Sequence, residues 1–335
     1  ERYAEWLQIT EKAQEACLRY GITSFQDAGS SDLYIRRYTE LAHQNKLKIK
    51  LWAMLRQPWS ELDTLDLSRY PVYTEDDYFT CAAVKSELDG ALGSYGAWLL
   101  TSYSDKDNFH GQNTTTIEDV KNIAQLCQVK NMQCCVHAIG DRANRVLLDV
   151  YEGVLGDNIN TDHRWRVEHA QHLAESDIPR FSQGAFIASM QGIHCTSDAP
   201  FVVDRLGVDR AQKGAYAWRA LLDEGVKIAN GTDAPVESLN PFESIYASIS
   251  RTRLDGKEAF FPEQSMTRIE ALQSYTSDNA YAAKEENKKG RLAPGLSADF
   301  ILLDRDLESC QISDIPTTRV LATYVDGDLR YSIDY

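Results

Sequence analysis

Seven short apolar runs, each separated from the next by a longer, mostly helix-like stretch, constrain this 335-residue chain more than any other feature. They lie at residues 22–29, 48–55, 81–90, 132–141, 164–171, 185–194 and 226–235. Segments between them, such as ANRVLLDVYEGVL and AYAWRALLDEG, carry apolar residues at helical spacing. Strands alternating with helices in this way predict βαβ units and a parallel sheet. Seven units are too many for a short doubly wound sheet, and they predict an α/β fold of the (β/α)8 TIM-barrel type. The chain opens on a helix: Trp6, Ile9, Ala13, Ala16, Cys17 and Tyr20 share the helical period, and Gly21 closes it. The first barrel strand is therefore expected to be missing, and the seven visible runs become strands 2 to 8. Beyond the last barrel helix, GRLAPGLSADFILLDRD and RVLATYVDGDLRY alternate like strands around Gly290, Gly295 and Gly327. They predict part of a small β-sandwich domain, with the barrel over 1–286 and the β-domain over 287–335. An unpaired edge in that tail would favour a homo-oligomer.

Composition narrows the partners. Hydrophobic residues make up 43% of the chain, enough for an ordinary core. The net charge of −15, with no basic stripe, argues against nucleic acid. No run approaches the ~18–20 apolar residues of a membrane span, and no signal peptide is visible. Seven cysteines without a CxxC pair argue against a disulfide framework.

In a β/α barrel the chemistry sits at the C-terminal ends of the strands. Four residues stand there: Lys85 on strand 4, His137 on strand 5, His169 on strand 6 and Asp233 on strand 8. Imidazoles and a carboxylate converging from separate strands are what a metal site needs, because ligands must surround one point. Lys85 could join them only as a carbamate formed with CO2, a carboxylate able to bridge two cations. Two ions ~3.5–4 Å apart activate a water and polarise a carbonyl together. Asp233 is placed to accept the proton. Asp141, Arg142 and His194 are expected at the mouth, facing substrate. Each residue also has a plainer reading: His137 as a core histidine, Lys85 as an ion-paired lysine, Asp233 as a helix cap. Glu168 should point opposite to His169 and pair with a barrel arginine. His43, His110, His163 and His172 read as helix or loop surface, and Asp89-Gly90 as a turn.

Six strings make a resemblance specific: VKSELDGALGS, HAIGDRAN, RVEHAQ, SMQGIHCTSD, GTDAPVES and GRLAPGLSADFILLD. In this order they resemble the YtcJ-like (amidohydrolase 3) family, from about residue 10 to the end. The resemblance implies a metal-dependent hydrolase acting on an amide or related C–N bond of a small molecule. It implies one or two divalent ions, zinc first, held by Lys85, His137, His169 and Asp233. Three features depart from the pattern. No His-x-His pair is present, Tyr95 and Gly96 stand where Arg-Thr is usual, and Gly192 stands where Pro is usual. A barrel isomerase or lyase using the same metal is one alternative, and a truncated, non-catalytic paralogue is the other.

Overall fold

The structure is a computed structural model describing residues 2–256 and 259–333. Eight of its eleven strands form one sheet. They are β1 (Ser24–Ser30), β2 (Lys50–Arg56), β3 (Val72–Tyr73), β4 (Phe79–Glu87), β5 (Gln133–Ala138), β6 (Arg166–His169), β7 (Ile187–Gln191) and β8 (Ile228–Gly231). The parallel ladder runs β1-β2-β4-β5-β6-β7-β8, and only the two-residue β3 pairs antiparallel, against β4. The seven parallel strands match the seven apolar runs, while β3 was not visible in the sequence pattern. Sequential neighbours joined by helices are what right-handed crossovers produce.

The sheet is curled. Gln26 on β1 accepts a hydrogen bond from Arg166 Nη1 on β6 at 2.6 Å, and the same guanidinium lies 4.4 Å from the ring centroid of Trp52 on β2. Strands this far apart in the ladder touch only if the sheet wraps round on itself. The ladder ends at β1 and β8, which do not pair with each other among the described residues. The helix Ser277–Ala282 bridges that seam at the N-terminal ends of the strands. Gln26 Nε2 donates to Asn279 O at 2.9 Å, and Asn279 Nδ2 donates to Asn230 O at 2.9 Å.

The tail folds into a second sheet of three antiparallel strands, β9 (Phe300–Leu303), β10 (Val320–Val325) and β11 (Asp328–Ser332), in the order β11-β10-β9. Its inner face packs on the opening helix Arg2–Arg19. Val325 clusters with Cys17, Leu18 and Ile49, and Thr323 Oγ1 donates to Leu18 O at 2.7 Å. Gly21 (φ +75°) ends that helix, and a Cβ there would press on Ile301 and Val320. Lys50, 4% exposed, ties the two sheets together by reaching Ser297, Asp299 and Asp326 at 2.7–2.9 Å. The outer strands β9 and β11 each keep an unpaired edge among the described residues. All seven cysteines are free thiols, six of them buried.

Candidate metal centre

Register decides which side chains enter the barrel. Side chains paired across neighbouring strands point to the same face. Lys85 pairs with Cys135, and Glu87 pairs with His137, which pairs with Glu168. Cys135 clusters with Trp52, Met54 and Ala83 in the interior, so this whole row points inward. Alternation would then turn His169 outward. Instead His169 (φ +72°) and Ala170 (φ +43°) take left-handed backbone at the strand end, and so does Asp233 (φ +54°) after β8. That conformation is rare for residues with a Cβ and concentrates at functional sites. It brings the His169 ring to 4.4 Å from the His137 ring, centroid to centroid.

His169, His194 and Asp233 offer ligand atoms that all lie within 4.8 Å of one another. His137 stands beside this trio and outside its tight cluster. Gln191 and Glu237 hold the far side of two rings. His169 Nδ1 lies 2.8 Å from Gln191 Oε1, and His194 Nδ1 lies 3.2 Å from Glu237 Oε1. Lys85, 5% exposed, stands on the same inward row, paired with Cys135, and its charge acts on His137, His169 and Asp233.

The electrostatics divide these groups. Burial holds His137 down at about 3, helped by the charges of Lys85 and Arg56. Burial also depresses His169, so both imidazoles are neutral at pH 7 with lone pairs available. Burial opposes protonation of His194 too, but hydrogen bonds to Asp233 and Glu237 outweigh it and raise the group to about 9. Desolvation lowers Lys85 below the ordinary lysine range, against the pull of Glu168 and Glu87. The buried Nε2 of His137 has no hydrogen-bond partner; its nearest carboxylate oxygen, Asp89 Oδ1, lies 3.5 Å away. Neutral imidazoles, an orphaned ring nitrogen and a nearby carboxylate suit a divalent cation.

Asp141 and Arg142 sit at the N-terminus of the helix Asp141–Leu155 and are engaged with a loop rather than the trio. Asp141 Oδ1 accepts from Leu100 N at 2.8 Å, while Arg142 Nη2 donates to Leu100 O at 3.2 Å, with its guanidinium near the Trp98 ring. Two expectations are corrected. Glu168 was set opposite to His169, but both turn into the barrel, and Glu168 Oε1 is buried without a hydrogen-bond partner instead of pairing with an arginine. His163 and His172 are buried, at 8% and 2% exposure, where surface was expected.

Asp89, read as a turn residue, proves to be 2% exposed. Its carboxylate accepts from the backbone N–H groups of Trp98, Ile139 and Gly140 at 2.8–2.9 Å, and burial pushes its pKa up to about 7. Glu237 and Gln191 were also missed. Glu237 stands in the GTDAPVES string four residues after Asp233, and that spacing was the available signal. The departures find local reasons. At Gly192 a Cβ would lie 2.1 Å from Ser248 Oγ, and its N–H donates to Asn230 Oδ1, which proline could not do. The Tyr95 ring packs against Tyr103 and under Arg205, 4.1 Å from its centroid.

The model of the amidohydrolase family matches residues 4–331. The chain belongs to that family. It is 36% identical over 273 residues to Protein LONG AFTER FAR-RED 3 of Arabidopsis thaliana, covering 82% of this chain and 46% of that protein. It is 30% identical over 256 residues to the putative amidohydrolase YtcJ of Bacillus subtilis (strain 168), covering 76% and 48%. Among solved structures, an uncharacterized metal-dependent hydrolase from Pyrococcus horikoshii OT3 superimposes with a TM-score of 0.80 at 28% identity, over 92% of this chain and 61% of that one. The chain thus spans about half the length of the curated relatives it matches.

Proposed function

We propose that this chain is part of a metal-dependent hydrolase that cleaves an amide or related C–N bond of a small molecule. The observation that carries the reading is the trio His169, His194 and Asp233, with the His137 ring 4.4 Å from that of His169 and Lys85 facing the same cavity. His137, His169, Asp233 and a carbamate on Lys85 would hold one or two ions, zinc first. A bound divalent ion supplies Lewis acidity toward a carbonyl and lowers the pKa of water toward neutrality. Asp233 accepts the proton that the attacking water loses. Burial opposes the ionised form of Asp233, and the neighbouring His194 and His169 outweigh it and hold the carboxyl below its usual range. Lys85 has the two properties that carbamate formation requires: burial, and a depressed pKa that frees the amine lone pair.

The unpaired edges of β1 and β8 support an eighth parallel strand at that seam, since closing the barrel removes both edges. A His-x-His pair on that strand would send both rings to one face, into this cavity.

The test uses the full natural protein. Metal is measured by elemental analysis, and release of amine, ammonia or carboxylate is followed across a panel of amides, in the same preparations. His137→Ala and His169→Ala should lose metal and turnover together, while Asp233→Asn keeps much of the metal and loses most turnover. Undiminished hydrolysis in both histidine variants would end the reading.

A further inference from the structure

His194 was expected to face substrate, yet neither of its ring nitrogens is free to do so. The residue lies in the first turn of the helix Gly192–Leu206 and is 6% exposed. Nδ1 lies 3.2 Å from Glu237 Oε1, and Nε2 lies 3.4 Å from Asp233 Oδ2. The second distance is informative. It exceeds the usual 2.7–3.2 Å range of an N–H···O hydrogen bond. Two atoms each ~2.1 Å from a tetrahedral ion stand ~3.4 Å apart, so the spacing fits one edge of a coordination tetrahedron. The His169 ring lies alongside, 6.1 Å away and tilted only 22°.

We propose that His194 is a further metal ligand, through Nε2, and that Glu237 is its positioning residue, holding the Nδ1–H so that Nε2 faces Asp233 and His169. This rests on the metal-centre reading above and extends it to two residues outside the ligand set implied by the resemblance.

The arrangement around Glu237 favours this role. Its Oε1 also accepts a hydrogen bond from Ser197, one turn beyond His194 on the same helix. One carboxylate therefore bridges two residues of the helix and fixes the azimuth of the ring between them. His169 shows the same construction: Nδ1 meets Gln191 Oε1 at 2.8 Å, and Nε2 is left for the cavity. Imidazole ligands commonly give their second N–H to such an acceptor, which sets the tautomer and raises the basicity of the ligating nitrogen. Two rings with their Nδ1 atoms engaged leave their Nε2 atoms for a cation, and His169, His194 and Asp233 offer ligand atoms within 4.8 Å of one another.

The competing arrangement is an ion-pair clamp, with His194 a permanent cation between Asp233 and Glu237. The two differ in sign. A clamp repels a metal, so removing His194 would tighten binding, whereas a ligand, once removed, weakens it.

Co(II) is the probe, titrated into the full natural protein against a competing chelator, with its visible absorption recorded and folding checked by circular dichroism. His194→Ala should weaken Co(II) binding at least tenfold and alter the visible bands, because one nitrogen leaves the coordination sphere. Glu237→Ala should weaken it about 10–100-fold with the bands largely retained, and Glu237→Gln, which still accepts the Nδ1–H, should restore affinity to within about threefold of wild type. His169→Ala is the control for the underlying site. If wild type binds no Co(II), the metal-centre reading fails and this proposal with it. If His169→Ala abolishes binding while His194→Ala and Glu237→Ala bind as wild type or more tightly, the site stands and the roles of His194 as ligand and Glu237 as its positioning residue are overturned.

Discussion

The two ends of the curled sheet treat buried polar groups in opposite ways. At the N-terminal ends of the strands, Arg166 is 1% exposed and donates to Gln26 Oε1, Gln133 Oε1 and Ala282 O. Gln133 Nε2 donates in turn to Arg164 O and Ala282 O. The helix Ser277–Ala282 lies over this end and supplies the acceptors. At the C-terminal ends, His137 Nε2 and Glu168 Oε1 are buried without partners, and His169, Ala170 and Asp233 hold left-handed backbone. The closed end spends most of its polar groups on one another, although Arg166 Nε and Trp52 Nε1 stay without a partner there. At the open end the unpartnered atoms belong to an imidazole and a carboxylate. An unpartnered buried polar atom costs about 1–3 kcal/mol, and at the open end that cost falls on groups able to bind or move a proton or a cation.

The contrast breaks most visibly at Arg166. Arg166→Met removes the guanidinium that joins β1, β5 and the helix Ser277–Ala282, and it strands the oxygens of Gln26 and Gln133 in an apolar interior. Loss of stability should be about 3–5 kcal/mol, read by urea denaturation. A change below ~1 kcal/mol would mean that this end is no more committed to stability than the mouth.

The sequence shows these two ends unequally. The seven parallel strands were legible because each is a short apolar run set off by helical spacing, and burial on both faces enforces that pattern. Lys85, His137, His169 and Asp233 stood out in the sequence because strand ends in such a fold are where polar residues need explaining. His194 was singled out, but nothing in SMQGIHCTSD says that a ring in the first helical turn will lie between Asp233 and Glu237. Asp89 was hidden because its partners, the N–H groups of Trp98, Ile139 and Gly140, come from the backbone of two distant loops. His172 was hidden because its neighbour in space, Tyr216, is far along the chain. Side-chain alternation set Glu168 opposite to His169, because nothing in the sequence foretells the left-handed turn that brings His169 to the cavity Glu168 already faces.

A second test uses pH and lies just beyond the mouth. His172 is fully enclosed, neither ring nitrogen has a hydrogen-bond partner, and burial, aided by the charge of Arg210, holds its pKa at about 3. The unfolded chain takes up a proton at this residue near pH 6.5, whereas the folded chain does so only near its depressed pKa. Stability from this group is therefore full above about pH 6.5 and falls as pH drops toward 3. Between roughly pH 7.5 and pH 5 the loss should reach about 2 kcal/mol. In His172→Leu that part of the acid slope should vanish while other buried histidines keep theirs. An unchanged slope, measured by denaturation at several pH values, would show that His172 finds a partner in solution.

The smallest expected effect is the sharpest test of the open end. Glu168 and Lys85 are both buried, and their charges attract across the cavity without closing to an ion pair. Glu168→Gln removes a carboxylate whose Oε1 has no partner, which relieves a desolvation cost. It also leaves the Lys85 ammonium with one carboxylate fewer, which costs about as much. Lys85 can absorb that change by losing its proton more readily, because burial has already lowered its pKa. The two effects oppose each other, and the net change in stability should stay within about 1 kcal/mol of wild type, several-fold below Arg166→Met. Metal content of the full natural protein should respond more than stability does, because the charge balance that prepares Lys85 has been altered. Loss of stability matching that of Arg166→Met would place Glu168 among the groups that hold the barrel together, and the division between a closed end and an open end would no longer stand.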